Sequence, residues 1–345
     1  MSGLGGIAIT GACEPERRAY GRALAQTLGC RHVTGIEMLS GRGVGRALAQ
    51  TLGCRHVTGI EMLSGRGVAD EGPRVIDVPL VVPPSQAAAM LEEENGDGLL
   101  CIADARHLID DLRDDAPLIA DAEDLVPLGQ PGARALHAAQ ALEYATMTVL
   151  VNWEHLPTAE LSLLLALASH LGPRARLRLS RGPADDIAGL RRAAAPAHSR
   201  PGWVTALNGE HRPTMTDARV RTVRYEQIRP FHPGRLRTAL DERLESGACG
   251  VLLRSVGFCR LATRPRVVGQ WEHVGSCMWL HPLAADEGDA LSLGQDLAFT
   301  GLDIDALALY DALDAAALTD DELAAGPDAW ARMPDPLPRW VDVPR

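Results

Sequence analysis

Residues 147–180 read MTVLVNWEHLPTAELSLLLALASHLGPRARLRLS. Met147–Val151 is a short apolar run rich in β-branched residues, which predicts a buried strand. Thr158 is a residue type that caps helices, and the strongly apolar stretch Ala159–Leu171 after it has the length of a helix. Ala175–Ser180 predicts a second strand. This order of elements predicts two parallel strands joined by a crossover helix.

The same alternation runs through the first half of the chain. Strands are predicted at Ile7–Thr10, Arg74–Val78 and Leu99–Ala103. Helices are predicted at Glu14–Leu28, at Gln86–Glu94 after a Ser85 cap, and near Ala105–Leu112. We therefore expect residues 1–180 to form an α/β domain whose mainly parallel sheet has helices on both faces.

The pattern changes after residue 180. Residues 181–219 are rich in Arg, Ala, Pro and Gly, which predicts a linker. Residues 220–325 combine short strands with helices, which is typical of a small α+β domain. Residues 326–345 contain five prolines and are expected to form a tail on the surface.

A segment of 24 residues occurs twice in tandem, at Gly21–Val44 and Gly45–Val68, without a single difference. Each copy has the pattern of a helix end, a glycine stop and a short strand. Repeat architectures need about three or more copies, so two identical copies indicate a recent duplication or a sequence error. We expect one copy to belong to the sheet and the other to be an insertion.

The composition excludes several function classes. All 34 basic residues are arginine, so the chain has no lysine for a Schiff base, a general base or a phosphate loop. The net charge of −11 argues against a general DNA-binding protein. Seven cysteines without a C-x-x-C pair indicate reduced thiols and a cytoplasmic protein. No apolar run is long enough to span a membrane, and the N-terminus lacks the basic region of a signal peptide.

Five motifs in the second half occur in the order of a known domain. Arg229-Pro-Phe-His-Pro-Gly-Arg-Leu236 resembles the RPFHPxRL signature of the CobW C-terminal domain. Leu253–Phe258 and Gly294–Gly301 are similar to strands of that domain, and Ala262–Pro265 and Trp271 stand where the family places them. Thr319–Glu322 is similar to the start of its LTDEE helix. The chain thus resembles the CobW family of zinc-linked P-loop GTPases, which implies a GTPase-like domain before residue 180.

Within that resemblance, the phosphate loop has lost its chemistry. Ile9-Thr-Gly11 stands where the family has TGFLGAGKTT. Such a loop needs glycines around the phosphates, a lysine on the β- and γ-phosphates and a hydroxyl on Mg²⁺. Here Glu14 and Glu16 replace glycines, Arg17 stands at the lysine position and Arg18 at the hydroxyl position.

The later nucleotide motifs have diverged as well. Asp77 is the acid kept from the IETSGLADP motif, and Leu80 replaces its phosphate-sensing glycine. Asn152 matches the first residue of the guanine-reading NKxD motif, but His155 replaces the Asp, so guanine specificity should be lost. We expect Gly11, Arg17, Asp77 and Asn152 to be remnants of a nucleotide site, with no catalytic residue among them.

A metal site has little support in the sequence. The metal-binding C-x-C-C motif of the family is absent. Cys259, His273 and Cys277 are weak candidates because thiolate and imidazole are zinc ligands. Positions i and i+4 of a strand are about 13 Å apart, so a turn at Gly275 would be needed to bring His273 and Cys277 together. We expect buried cysteines and no metal site.

Eight arginines lie between Arg212 and Arg243. Such a cluster is either a solvated surface or a docking site for RNA or for an acidic protein surface. On the second interpretation, Arg229, His232, Arg235 and Arg237 are the candidate contacts with a partner; His232 could equally be structural.

The sequence leaves two functions open. The resemblance extends to diverged family members that act in the zinc-starvation response of mycobacteria and recruit a ribosome-hibernation protein. It therefore implies a non-hydrolysing pseudo-GTPase adaptor that binds a ribosome or a ribosome-associated protein and needs no cofactor or small-molecule substrate. The alternative is a divergent GTP-dependent zinc metallochaperone, in which Arg17 would contact phosphate and Asp77 would hold Mg²⁺.

Overall fold

The computed structural model describes residues 6–34, 74–80, 82–93, 98–118, 133–190, 200–285 and 294–340. The chain divides into two compact units. The first comprises residues 1–202 with 213–215, and the second comprises residues 203–212 with 216–345.

The first unit contains six strands and six helices among its described residues up to Leu190. They are β1 (Gly6–Thr10), α1 (Glu14–Leu28), β2 (Arg31–Thr34), β3 (Arg74–Asp77), α2 (Pro84–Glu93), β4 (Gly98–Asp104), α3 (Leu108–Asp111), α4 (Arg134–Tyr144), β5 (Met147–Val151), α5 (Thr158–Leu171), β6 (Arg176–Leu179) and α6 (Pro183–Leu190). The strands pair in the order β2-β3-β1-β4-β5-β6, and every pair is parallel. The predicted α/β fold is confirmed.

Helices cover both faces of this sheet. Successive side chains of a strand point to opposite faces, so β1 contributes to two cores. Ile9 packs in one core with Leu24 of α1 and Ile187 of α6. Ala8 packs in the other core with Ala88 of α2.

Two predicted helix caps are wrong. Helix α2 begins at Pro84, so Ser85 lies inside the helix. Helix α5 begins at Thr158 with Pro157 at the cap position, and no side chain caps it. Proline suits the first helical position because its fixed φ is already helical, which explains why α2 starts two residues earlier than predicted.

The first copy of the duplicated segment contributes to the sheet, as expected. Its start forms the second half of α1, which Gly29 ends with a left-handed φ of 63°. Its strand residues form β2, which pairs with β3. Gly21 leaves room for the neighbouring side chains, since a Cβ there would lie 2.4 Å from Ile9 Cδ1 and 2.7 Å from His32 Nε2. The second copy lies outside the described residues.

The second unit is built on a five-stranded antiparallel sheet. Its strands are β7 (Val220–Gln227), β8 (Val251–Cys259), β9 (Val267–Val274), β10 (Cys277–Ala285) and β11 (Gln295–Leu302), in the order β10-β9-β8-β11-β7. Its helices are α8 (Pro233–Ala239), a π-helical turn (Leu240–Leu244), α9 (Ala306–Ala316), α10 (Asp320–Ala324) and α11 (Pro327–Trp330). Phe231, Trp271, Phe299, Leu309 and Leu313 are in its core, and this arrangement confirms the predicted α+β class.

Two segments expected to be irregular contain ordered elements. Helix α6 and a further helix, α7 (Gly202–Leu207), lie within the predicted linker 181–219. In the predicted tail, Trp330 of α11 is buried against Ala262 and Leu318. Trp340 donates its indole N–H to Leu280 O at 2.7 Å. The tail is therefore part of the packing of the second unit.

Candidate functional site

The connection between β1 and α1 is only three residues long. Strand β1 ends at Thr10 and α1 begins at Glu14. Gly11 has a φ of 139° and lies against β4, where a Cβ would be 2.1 Å from Ile102 O. Cys13 Sγ donates to the same carbonyl oxygen at 3.1 Å. A phosphate loop needs a run of main-chain N–H groups around its ligand, whereas this connection closes directly onto β4.

Arg17 lies inside the first turns of α1 and points into the protein. Its side chain is 1% exposed. Nε donates to Asp77 Oδ1 at 2.6 Å, and Nη1 donates to Gly11 O at 2.5 Å. The predicted remnants Gly11, Arg17 and Asp77 are thus brought together. Because the guanidinium bonds to internal acceptors, it faces away from any phosphate outside the loop.

The charges around this loop also oppose phosphate binding. Glu14 and Glu16 lie in the first turn of α1, where carboxylates interact favourably with the helix dipole. Glu14 forms an ion pair with Arg18, so the residue at the Mg²⁺-hydroxyl position is a paired arginine. Phosphate at this helix end would meet two carboxylates.

The fourth remnant, Asn152, lies in a separate cluster at the ends of β4 and β5. Its Nδ2 donates to Asp104 Oδ2 at 2.7 Å, and its φ is 57°. Arg106 binds both oxygens of Asp104, with Nη2 at 2.9 Å from Oδ2 and Nε at 3.2 Å from Oδ1. Burial acts to raise the pKa of Asp104, but the hydrogen bonds from Arg106 and Asn152 outweigh it and lower the pKa. The carboxylate is ionised, and its oxygens are already bonded.

Helix α4, which was not predicted, contacts the end of β1 and the loop that follows it. His137 is buried, and its Nε2 lies 3.1 Å from Thr10 Oγ1. Burial and the charge of Arg17 lower the pKa of His137 to about 3. Arg134 Nη2 donates to Ala12 O at 2.6 Å. Arginines therefore bind the carbonyl oxygens of both Gly11 and Ala12.

An acidic cavity of about 520 Å³ lies beside Arg134. Its lining includes His107, Asp110, Asp111 and Asp114. Burial raises the pKa of Asp111 to about 6, although Arg134 and His107 act to lower it. A cavity with this many carboxylates is unsuited to a phosphate.

The guanine-reading end of the predicted site is occupied by an internal contact. Trp153 follows Asn152 and donates its indole N–H to Ser180 O at 2.9 Å, which joins the ends of β5 and β6. His155 is exposed. Ser180 Oγ and Tyr20 both donate to the buried carboxylate of Asp186, at 2.8 and 2.9 Å. Taken together, the described residues of this unit do not fit a complex of GTP with Mg²⁺.

In the second unit, the motif Arg229–Leu236 has a structural role. Phe231 is fully buried, and His232 Nδ1 caps α8 by accepting from the main-chain N–H groups of Gly234 and Arg235. Arg235 forms a two-pronged ion pair with Glu322, with nitrogen–oxygen distances of 2.8 and 2.6 Å. These contacts fasten α8 to the start of α10.

The other candidate partner-binding arginines are paired as well. Arg229 binds Asp320 at 2.5 Å, and Arg237 binds Asp241 at 2.9 Å. Glu322, the partner of Arg235, has its pKa lowered to about 2, chiefly by the hydrogen bonds from Arg235. The side chains of the motif Arg229–Leu236 therefore make contacts within their own domain.

Comparison with known proteins finds a family match within the second unit. Residues 220–317 match the cobalamin synthesis protein CobW C-terminal domain. The chain is 28% identical over 215 residues to the zinc-regulated GTPase metalloprotein activator 1 of Dictyostelium discoideum, covering 54% of this chain and 44% of that protein. It is 30% identical over 246 residues to a zinc chaperone of Mycobacterium tuberculosis, covering 64% of this chain and 58% of that protein. The second unit therefore contains a CobW C-terminal domain.

The alignments span about half the length of the curated relatives that this chain matches, 44% and 58%. Among solved structures, the Zn(II)-bound YjiA GTPase of E. coli aligns with a TM-score of 0.35 and 13% identity, covering 92% of this chain and 100% of that one. None of the described helices combines the length and the hydropathy that a membrane crossing requires.

The weak metal candidates of the CobW C-terminal domain do not converge. Cys259 pairs with Gly269, whereas His273 pairs with Ser255, four residues earlier on β8 and thus about 13 Å away. His273 faces Met278 across the hairpin, so the adjacent Cys277 points to the opposite face of the sheet. Within the described ranges, no group of three or more His, Cys, Asp or Glu residues could hold a metal ion.

Several residues of the candidate site were not predicted from the sequence. Arg106 lies two residues after Asp104, and this spacing could have indicated a turn closed by an arginine–carboxylate pair. His137 and Arg134 belong to α4, whose alanine-rich pattern went unrecognised. The contact between Trp153 and Ser180 joins residues 27 positions apart, and the sequence carries no local signal for it.

Proposed function

We propose that this CobW-type protein acts in zinc homeostasis and that its first unit is a pseudo-GTPase that neither binds nor hydrolyses GTP. The burial of Arg17 carries the proposal. A guanidinium at the lysine position could contact phosphate only from the mouth of the loop, and here it bonds Asp77 and Gly11 O inside the protein.

Three further features support the loss of nucleotide binding. Glu14 and Glu16 lie at the helix end where phosphate would bind. Asp104 has both oxygens engaged by Arg106 and Asn152, so it would have to break those bonds to hold Mg²⁺. Trp153 bonds across the base-reading end. All three features oppose the binding of GTP with Mg²⁺.

The connection with zinc rests on the relatives. One is named a zinc-regulated GTPase metalloprotein activator and another a zinc chaperone. Because the described residues offer no metal site, the proposed role is that of an adaptor and not of a zinc carrier. The proposed partner is a ribosome or a ribosome-associated protein in the cytoplasm. Since Arg229, Arg235 and Arg237 are paired, the contact would use other residues of the CobW C-terminal domain.

The relatives' names also favour a second candidate, a GTP-dependent zinc metallochaperone. Calorimetric titration of the purified chain with GTP and Mg²⁺, with and without Zn²⁺, separates the two functions. The pseudo-GTPase predicts no binding heat up to millimolar GTP. Micromolar binding would contradict it and would make the metallochaperone the leading function.

A matched variant strengthens this titration. Arg17→Lys restores the residue type of a working loop but leaves Glu14, Glu16 and the short connection unchanged. We expect this variant also to give no binding heat, because the whole loop has diverged. If Arg17→Lys alone restored GTP binding, the remainder of the site would still be competent, and the loss would be confined to one residue.

A further inference from the structure

Arg17 joins the segments that follow two neighbouring strands. Strands β1 and β3 are paired in parallel, with Ile9 opposite Asp77. The guanidinium reaches Gly11 O after β1 and Asp77 Oδ1 at the end of β3. Both Arg17 and Asp77 are buried, so water competes little for these bonds.

The main chain after β3 is held to β1 at the same point. Val78 N donates to Ile9 O at 2.9 Å, and the Val78 side chain is fully buried. Val82 N donates to Pro79 O at 2.9 Å, which forms a turn. Asp77 and Val78 are thus fixed through a side chain and through the backbone.

The ion pair cannot be exchanged easily for an external ligand. A buried carboxylate that loses its partner is strongly destabilised because its charge is left in a poorly solvated place. A phosphate that drew Arg17 outwards would leave Asp77 with only the half-exposed Arg18, whose Nε lies 3.9 Å from Oδ2. Arg17 thus supplies the positive charge beside Asp77, at a position where the resemblance implies an Mg²⁺ ion bound with a nucleotide.

We propose that Arg17 is a built-in ligand that locks residues 77–80 to the end of β1, so that this edge of the sheet keeps one conformation at any nucleotide concentration. This inference rests on the proposed pseudo-GTPase function. It adds that a partner would meet a permanently set surface here and not a nucleotide-controlled one.

Hydrogen exchange measured by mass spectrometry on the full chain tests the lock. The Val78 and Val82 amides should exchange slowly, and millimolar GTP with Mg²⁺ should leave their rates unchanged. Arg17→Gln should speed their exchange by about tenfold or more, because opening of the segment no longer breaks an ion pair. The matched control Arg22→Gln, an exposed arginine on the same helix, should leave both rates within about twofold of wild type.

If Arg17→Gln fails to fold, the double variant Arg17→Gln with Asp77→Asn replaces the ion pair by a neutral hydrogen-bonded pair. It should fold and still exchange faster than wild type at Val78 and Val82. Wild-type exchange in a folded Arg17→Gln variant would overturn the lock. Rapid exchange of the Val78 and Val82 amides in the wild-type chain would also overturn the lock. If that chain still bound no GTP, the proposed pseudo-GTPase function would stand. Binding of GTP in the titration would instead overturn the proposed function itself.

Discussion

At the scale of single residues, Arg17 differs from the lysine it replaces in the shape of its charge. A guanidinium has donors in a planar fork and can bind a carboxylate and a carbonyl at once, whereas an ammonium is a compact charge at the end of a flexible chain. In this protein α1 begins at Glu14, so Arg17 lies one turn inside the helix, where its fork reaches Asp77 and Gly11 O. Because of its residue type and the place where α1 begins, Arg17 forms internal bonds at a position that binds phosphate in a working loop.

His137 makes the stability of the first unit depend on pH. Its pKa is lowered from 6.5 to about 3 in the folded protein, so between these values the unfolded chain binds a proton that the folded protein does not. Stability therefore falls as the pH falls below about 6.5, by about 1.4 kcal/mol per pH unit. Urea unfolding at pH 7.5 and 5.5 should show a loss that is about 1.4 kcal/mol smaller in His137→Gln than in wild type.

The exposed His155 provides the control for this measurement, and His155→Gln should lose as much stability as wild type. Asp111 acts in the opposite direction, since a pKa raised to about 6 adds stability as the pH falls through that value. Its contribution is common to all three proteins and cancels in the comparison. Equal losses in wild type and His137→Gln would show that His137 is not held neutral by burial.

At the scale of elements, the duplication lengthens one connection. Strand β2 ends at Thr34 and β3 begins at Arg74, so 39 residues join them. Because the two copies are identical, deleting 24 residues leaves α1 and β2 with the same sequence and shortens the connection to 15 residues. Loop-closure entropy then favours the deletion variant by about 0.8 kcal/mol, which urea unfolding can measure.

A variant with residues 45–68 replaced by a Gly/Ser sequence of equal length is the control for that prediction. It keeps the long connection and should match wild type in stability. A deletion variant that is several kcal/mol less stable than both would show that the second copy contributes packing of its own.

The same elements show how far the sequence determines the fold. Strands β1, β4 and β5 were predictable because their apolar runs are bounded by helical patterns. Helix α4 was missed because alanines dominate its buried face, so its hydrophobic period is faint. In the site, Arg17 and Asp77 were each identified from their motifs, but their ion pair was not, because it joins residues 60 positions apart and depends on where α1 begins.

At the scale of the whole molecule, most arginines of the densest basic cluster lie next to acidic side chains. The net charge is −11, and five of the eight arginines between Arg212 and Arg243 form ion pairs with acids. They are Arg219, Arg224, Arg229, Arg235 and Arg237. An arginine paired with an acid attracts a phosphate less strongly, because the neighbouring carboxylate offsets its charge. The cluster is therefore much less basic than its composition indicates.

This pairing sets the salt dependence of any association with ribosomes. Each phosphate neutralised contributes a slope of about −0.9 in a plot of log affinity against log salt. If eight arginines bound RNA, raising the salt from 50 to 200 mM would weaken binding about 10⁴-fold, whereas three would weaken it only about 40-fold. Co-sedimentation with ribosomes across this range should show the shallow dependence. A steep dependence that Arg229→Gln and Arg237→Gln both reduce would mean that the paired arginines leave their carboxylates to bind RNA.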